Sequence, residues 1–95
     1  MQLTAQTFDD RRRAISVRFG DDLTDVARAV QILVRQSVAV ERLNVAAASS
    51  QDSRLCMDVQ AKFVDDAQLR RVSNSLSRLC GVLEVEVGIA APPRP

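Results

Sequence analysis

The clearest alternation of apolar and polar positions runs through Arg54–Phe63. Leu55, Met57, Val59, Ala61 and Phe63 share one parity, and Arg54, Cys56, Asp58, Gln60 and Lys62 share the other. A period of two marks a strand with one buried and one wet face. The stretch before it, Val40 to Ala48, alternates more loosely, with Leu43, Val45 and Ala47 set against Arg42, Asn44, Ala46 and Ala48. The polar run Ser49-Ser50-Gln51-Asp52-Ser53 between the two predicts a hairpin loop, so the centre of the chain reads as a β-hairpin over Val40 to Phe63.

Upstream, Ile15, Val17 and Phe19 alternate with Ala14, Ser16 and Arg18, predicting a strand over Ala14 to Phe19 that ends at Gly20. A helix follows. Asp21 or Asp22 can cap it, Asp25 suits the positive end of its dipole, and Leu23, Val26, Ala27, Val30, Leu33 and Val34 recur at steps of three and four. Its end is expected near Gln36-Ser37. Residues 1–13 read as a loosely held arm.

Downstream, Asp65 with Gln68 three positions on is a capping-box arrangement, and Val64 with Leu69 can form a hydrophobic staple. Leu69, Val72, Leu76, Leu79 and Cys80 give this second helix its apolar stripe, and Gly81 is placed as the C′ residue. A last strand over Val82 to Gly88 directs Leu83, Val85 and Val87 inward and Glu84 and Glu86 outward. The Pro-rich residues 90–95 form a tail expected to be disordered.

The order is β-α-β-β-α-β, two split βαβ halves sharing the hairpin. Four strands with one apolar face each and two one-striped helices imply an α+β, ferredoxin-like two-layer sandwich over residues 14–89. Its antiparallel sheet would have both helices on one face and strand order fourth-first-third-second. The second strand is then an edge. Neither Pro nor inward Lys guards Leu43, Asn44, Val45, Ala46, Ala47 and Ala48, so this edge is expected to pair with a second copy.

Composition narrows the chemistry. Ninety-five residues make one small domain, and 13 basic against 12 acidic residues leave a net charge of +1. That balance, with three Phe and no Tyr or Trp, implies neither a phosphate-tracking field nor a stacking platform for nucleic acid. The basic triplet Arg11-Arg12-Arg13 reads as a solvated entry to the first strand. The absence of histidine removes Ser-His and Cys-His nucleophile pairs. Cys56 and Cys80 lack metal-ligand spacing, so no metal site is expected. Capping accounts for Asp21-Asp22 and Asp65-Asp66, and no general acid/base pair emerges. Cys56 falls on the polar sheet face, and Cys80 reads as core packing. The Gly20-Asp21-Asp22 turn exposes N–H groups that suit an anionic ligand group, although its carboxylates favour an amino group. No apolar run is long enough to span a bilayer, and no secretory segment follows Met1; a cytoplasmic setting with free thiols is expected.

With these elements in place, the chain resembles the ACT domain, a small regulatory module of amino-acid metabolism. The phrase Leu43-Asn44-Val45-Ala46-Ala47-Ala48-Ser49 is similar to the NMAAAS segment of the short small subunits of acetolactate synthase, isozyme II type. The resemblance spans roughly Ile15 to Val87. It implies a subunit with no catalytic residue and no cofactor of its own. Such a subunit binds and activates or stabilises a large subunit carrying thiamine diphosphate, Mg and FAD, in branched-chain amino-acid biosynthesis. It also implies an effector site between Gly20, Asp21, Asp22, Leu23 and Thr24 of one copy and Ser37, Val38, Ala39 and Val40 of a dimer mate. Two departures bear on that site. The turn lacks the family's Pro-Gly, and Gln36-Ser37-Val38-Ala39 stands where the family favours Arg-Gly-Phe/Tyr-Asn. Both speak against valine sensing.

Two other readings are open. One is a freestanding ACT-type amino-acid sensor acting as a homodimer, which a ligand-induced stability shift would distinguish. The other is a ferredoxin-like nucleic-acid or protein interaction module using the polar sheet face.

Overall fold

The computed structural model describes residues 11–49 and 51–89. Strand β1 (Arg12–Phe19), helix α1 (Leu23–Arg35), strands β2 (Ala39–Ser49) and β3 (Asp52–Lys62), helix α2 (Asp66–Ser77) and strand β4 (Val82–Ile89) follow in the expected order. The four strands form one antiparallel sheet ordered β2-β3-β1-β4, so β2 and β4 are its edges. Most of the arm expected over residues 1–13, and the whole tail over 90–95, lie outside the described residues. Within the arm, Arg12 and Arg13 prove to be strand: Arg12 pairs with Lys62 and Arg13 with Ala61, and both are half-buried. Arg12 and Arg13 are therefore part of the ladder, and only Arg11 is an exposed approach to it.

The period-two reading of the central strands holds. Ile15, Val17 and Phe19 of β1 and Met57, Val59 and Ala61 of β3 are buried on the helix-bearing face, together with Phe63. Ile15 faces Val59 and Val17 faces Met57 across the ladder. Each such side chain removed from water stabilises the fold by about 1.5–3 kcal/mol. Pairing between β2 and β3 continues to Ser49 and Asp52, so the loop is shorter than the Ser49–Ser53 run predicted.

Helix α1 is rotated from its predicted stripe, whereas α2 keeps its stripe except at Cys80. In α1 the buried residues are Val26, Ala29 and Leu33, whereas Ala27 is exposed and Leu23 and Val34 are 65% and 72% exposed. The apolar positions of α1 span a wide arc, and α2 and β3 cover only one side of it. In α2, Gln68, Val72 and Leu76 are buried and Leu69 and Leu79 half-buried. Cys80 is exposed, because α2 ends at Ser77 and helical periodicity does not carry past the C-cap Arg78. For the same reason Gly81 is not the C′ residue.

Both N-caps form as expected. Asp22 accepts from the Thr24 N–H at 2.8 Å and Asp65 from the Gln68 N–H at 2.8 Å. The capping box is displaced by one residue: Gln68 Oε1 accepts from the Val64 N–H at 2.7 Å, while the Val64 side chain is 72% exposed and makes no staple. The Gln68 Nε2 donates to the Gln36 carbonyl at 2.9 Å, and Gln36 Nε2 donates to Ser75 Oγ at 3.0 Å. A buried Gln with both ends satisfied thus ties the end of α1 to α2.

Two local departures correct the edges. Glu84 pairs with Arg18 and Val82 with Phe19, which leaves Leu83 as an unpaired bulge residue. Leu83 therefore faces solvent, and Val82 joins Val85 against the core. On β2, only Val45 of the predicted inward set is half-buried. Leu43 and Ala47 are exposed, on a strand at the edge of the sheet.

Helix α1 closes with a Schellman arrangement. The Val38 N–H donates to the Leu33 carbonyl at 3.0 Å and the Ser37 N–H to the Val34 carbonyl at 3.1 Å. Ser37 takes the left-handed conformation, φ 55°, which glycine adopts without steric cost. Replacing Ser37→Gly is expected to stabilise the fold by about 0.5–1 kcal/mol, raising the melting temperature by a few degrees. A thermal melt followed by circular dichroism checks this; an unchanged or lower midpoint contradicts it.

Candidate functional site

The residues assigned to an effector site fall into two groups, and the fold separates them. Gly20, Asp21, Asp22, Leu23 and Thr24 join β1 to α1; Ser37, Val38, Ala39 and Val40 join α1 to β2. The whole 13-residue helix stands between them, a rise of about 20 Å. Within one chain they do not form one site.

At the first group, the backbone N–H groups of Gly20 and Thr24 are committed, and so is that of Asp25 just beyond it. The Gly20 N–H donates to the Gly81 carbonyl at 3.3 Å, the Thr24 N–H to the Asp22 carboxylate at 2.8 Å, and the Asp25 N–H to the Asp22 carbonyl at 3.1 Å. The Gly20 carbonyl accepts from the Leu55 N–H at 3.0 Å. A turn whose Asp21 and Asp22 side chains are exposed is better suited to an ammonium group than to a carboxylate. Gly20 has open space where a Cβ would stand, so its lack of a side chain is not what shapes the turn.

Gly81 is different. A Cβ there would collide with the Asp25 carboxylate, which is only 17% exposed and lies 4.0 Å from Arg28 Nη1. The start of α1 is thus packed against the α2–β4 connection through one carboxylate. Nothing in the spacing of the sequence indicates this contact.

At the second group, the αL turn at Ser37 directs the chain from α1 straight into β2, with the Val40 N–H donating to the Val38 carbonyl at 3.0 Å. Val40 is 40% exposed and Ala39 is exposed, so the start of β2 is open to a neighbour. The predicted dimer edge, Leu43 to Ala48, lies on β2 with one side of its ladder made to β3.

The helix-free face of the sheet carries two polar rows. Asn44, Asp58, Ser16 and Glu86 stand side by side in one, and Ala46, Cys56, Arg18 and Glu84 in the next. Arg18 Nη1 lies 3.6 Å from Glu84 Oε1, and Ser16 Oγ lies 3.7 Å from Cys56 Sγ. Two carboxylates in the middle row oppose a phosphate backbone. Among the described residues, no group of three or more His, Cys, Asp or Glu is placed to hold a metal ion. No helix among them is long and apolar enough to cross a membrane.

If Asp25 and Gly81 are packed as described, Gly81→Ala should cost about 1 kcal/mol and Asp25→Ala in the same chain should recover most of it. Urea denaturation of the two single variants and the double variant measures the coupling. Purely additive losses would contradict the contact.

No family model matches the sequence, and no curated protein matches it in sequence. Solved structures do match in fold. The ACT domain of GTP pyrophosphokinase from Chlorobium tepidum superposes with a TM-score of 0.70 at 13% identity, covering 80% of this chain and 95% of that one. The C-terminal domain of the MgtC protein from Mycobacterium tuberculosis gives 0.67 at 18% identity, over 88% of this chain and 94% of that one. The regulatory subunit of aspartate kinase from Thermus flavus gives 0.62 at 20% identity, over 83% of this chain but 52% of that one. The architecture of this chain is the βαββαβ sandwich of the ACT-domain fold.

Proposed function

We propose that this chain is a non-catalytic regulatory domain that works by binding a protein partner, and that its partner is the large subunit of acetolactate synthase. The observation that carries this is the placement of the Leu43–Ser49 phrase. The segment that resembles the small subunits of that enzyme lies on the exposed edge strand β2, where backbone and side chains are available for contact. The fold is shared with regulatory domains. Thiamine diphosphate, Mg and FAD would belong to the catalytic partner, and the setting would be cytoplasmic. The exposed Asp21 and Asp22 carboxylates of the Gly20–Thr24 turn and the Ser at the left-handed position of the Ser37 turn both speak against valine feedback. Mixing the chain with an acetolactate synthase large subunit should raise acetolactate production and give co-elution on size exclusion. No rise and no co-elution would refute the proposal.

A second reading is a freestanding amino-acid sensor, favoured by the exposed Asp21 and Asp22 side chains, which suit an amino group. A ligand at 100 times its dissociation constant adds about 2.7 kcal/mol of stability. A thermal-shift screen of the twenty amino acids should then show one clear rise; a flat screen excludes this reading.

A further inference from the structure

Strand β4 is the other edge of the sheet, and its outer side has no strand beside it among the described residues. It contains neither Pro nor Lys, the residues that commonly blunt such an edge. Its two faces differ in chemistry. Val85, Val87 and Ile89 stand level with Val17, Ile15 and Arg13 on the helix-bearing face, and Glu84, Glu86 and Gly88 with Arg18, Ser16 and Ala14 on the other. Helix α2 lies against β4, yet Val87 is 43% exposed and Ile89 75%. The apolar row therefore runs out past the cover of the helix. The bulge at Leu83 breaks the register just before Glu84, which leaves residues 84–89 as the regular part of the strand.

The charges of β4 select what can lie along it. Glu84 is shared with Arg18 at 3.6 Å, whereas Glu86 has no ion pair among the described residues and sits in a row with Ser16 and Asp58. An added strand sets one residue directly opposite Glu86 on the same face, where an opposite charge stabilises the pair and a like charge destabilises it. A second β4 meets this condition badly. Antiparallel pairing about Glu86 sets that residue against its own copy, and pairing about Val85 sets Glu84 against Glu86. The register about Val87 avoids both but keeps only residues 85–89 in the ladder. The chain's own ends are no better suited. Residues 1–10 contain no Lys or Arg to meet Glu86, and three of residues 90–95 are Pro, which cannot donate to a ladder.

We propose that β4 takes up, as a fifth strand, an extended segment of a partner protein in which basic and apolar residues alternate. Its basic side chains stand opposite Glu84 and Glu86, and its apolar ones extend the row of Val85, Val87 and Ile89 on the helix-bearing face. Main-chain bonds along the edge supply the affinity, and the alternation supplies the specificity. Strand β2 carries Arg42 on the helix-free face and repels such a segment, so the two edges are not interchangeable. The site is separate from the Leu43–Ser49 phrase of β2 and stands whichever partner that phrase contacts.

Fluorescence anisotropy with a short, labelled, end-capped peptide alternating Lys and Val should show saturable binding to the full chain. A peptide of the same composition with its Lys residues grouped together should bind at least about tenfold more weakly. Glu86→Lys, at an exposed position, should weaken binding of the alternating peptide at least about tenfold. The same change of charge in that row but on a central strand, Asp58→Lys, should leave it within about threefold. Methylating the amides of all Lys or of all Val residues blocks donors on one side of the peptide only, so one form should lose binding and the other keep it. If Glu86→Lys proves unfolded by circular dichroism, the peptide series alone decides. No binding, equal binding of the grouped peptide, equal losses in Glu86→Lys and Asp58→Lys, or binding by both methylated forms or by neither overturns the proposal. Sedimentation equilibrium in which Glu86→Lys alters self-association of the unliganded chain would assign the edge to a second copy and overturns it too.

Discussion

The fold depends on the pairing of β1 with β3. These strands are distant in sequence and central in the sheet, and between them they supply the buried floor on which both helices rest. Their ladder cannot form until α1 and the hairpin have been traversed, so the loop-closure cost is met by the burial of Ile15, Val17, Phe19, Met57 and Val59 at once. Everything peripheral follows from what that floor leaves unfilled. Helix α2 lies against β4, and α1 lies over β3 and against α2, while β2 stays exposed along nearly its whole length.

This explains which parts of the structure were legible in the sequence. Strands buried on one face announce themselves by parity, and β1 and β3 were readable residue by residue. Asp65 was readable as a cap, and the Asp21-Asp22 pair as the other, because a short acidic side chain before an apolar period has few other uses; the structure selects Asp22. The helix faces were less so. The apolar positions of α1 cover more arc than one contact surface needs, and only the tertiary arrangement shows that Val26, Ala29 and Leu33 go inward while Leu23 and Val34 do not. The Leu83 bulge and the Asp25–Gly81 packing are likewise settled by neighbours distant in sequence, and no local period contains them.

The candidate site was legible as two segments but not as a place. Sequence order puts Gly20–Thr24 and Ser37–Val40 on either side of a helix, and the helix holds them about 20 Å apart. The structure adds the state of their hydrogen bonds. A turn that looked open to an anion has Gly20, Thr24 and Asp25 donating to carbonyl or carboxylate oxygens of the protein.

The bond from Gln68 to the Gln36 carbonyl has a mechanical meaning. Gln36 is the C-cap of α1, before the turn into β2, and it is gripped twice from α2, at its carbonyl by Gln68 and at its side-chain amide by Ser75. Gln68 in turn holds the Val64 N–H at the exit from β3. The two halves of the motif are therefore geared at this point. The entry of β2 cannot shift without either pulling α2 along its axis or leaving a buried amide without a partner, which costs about 1–3 kcal/mol.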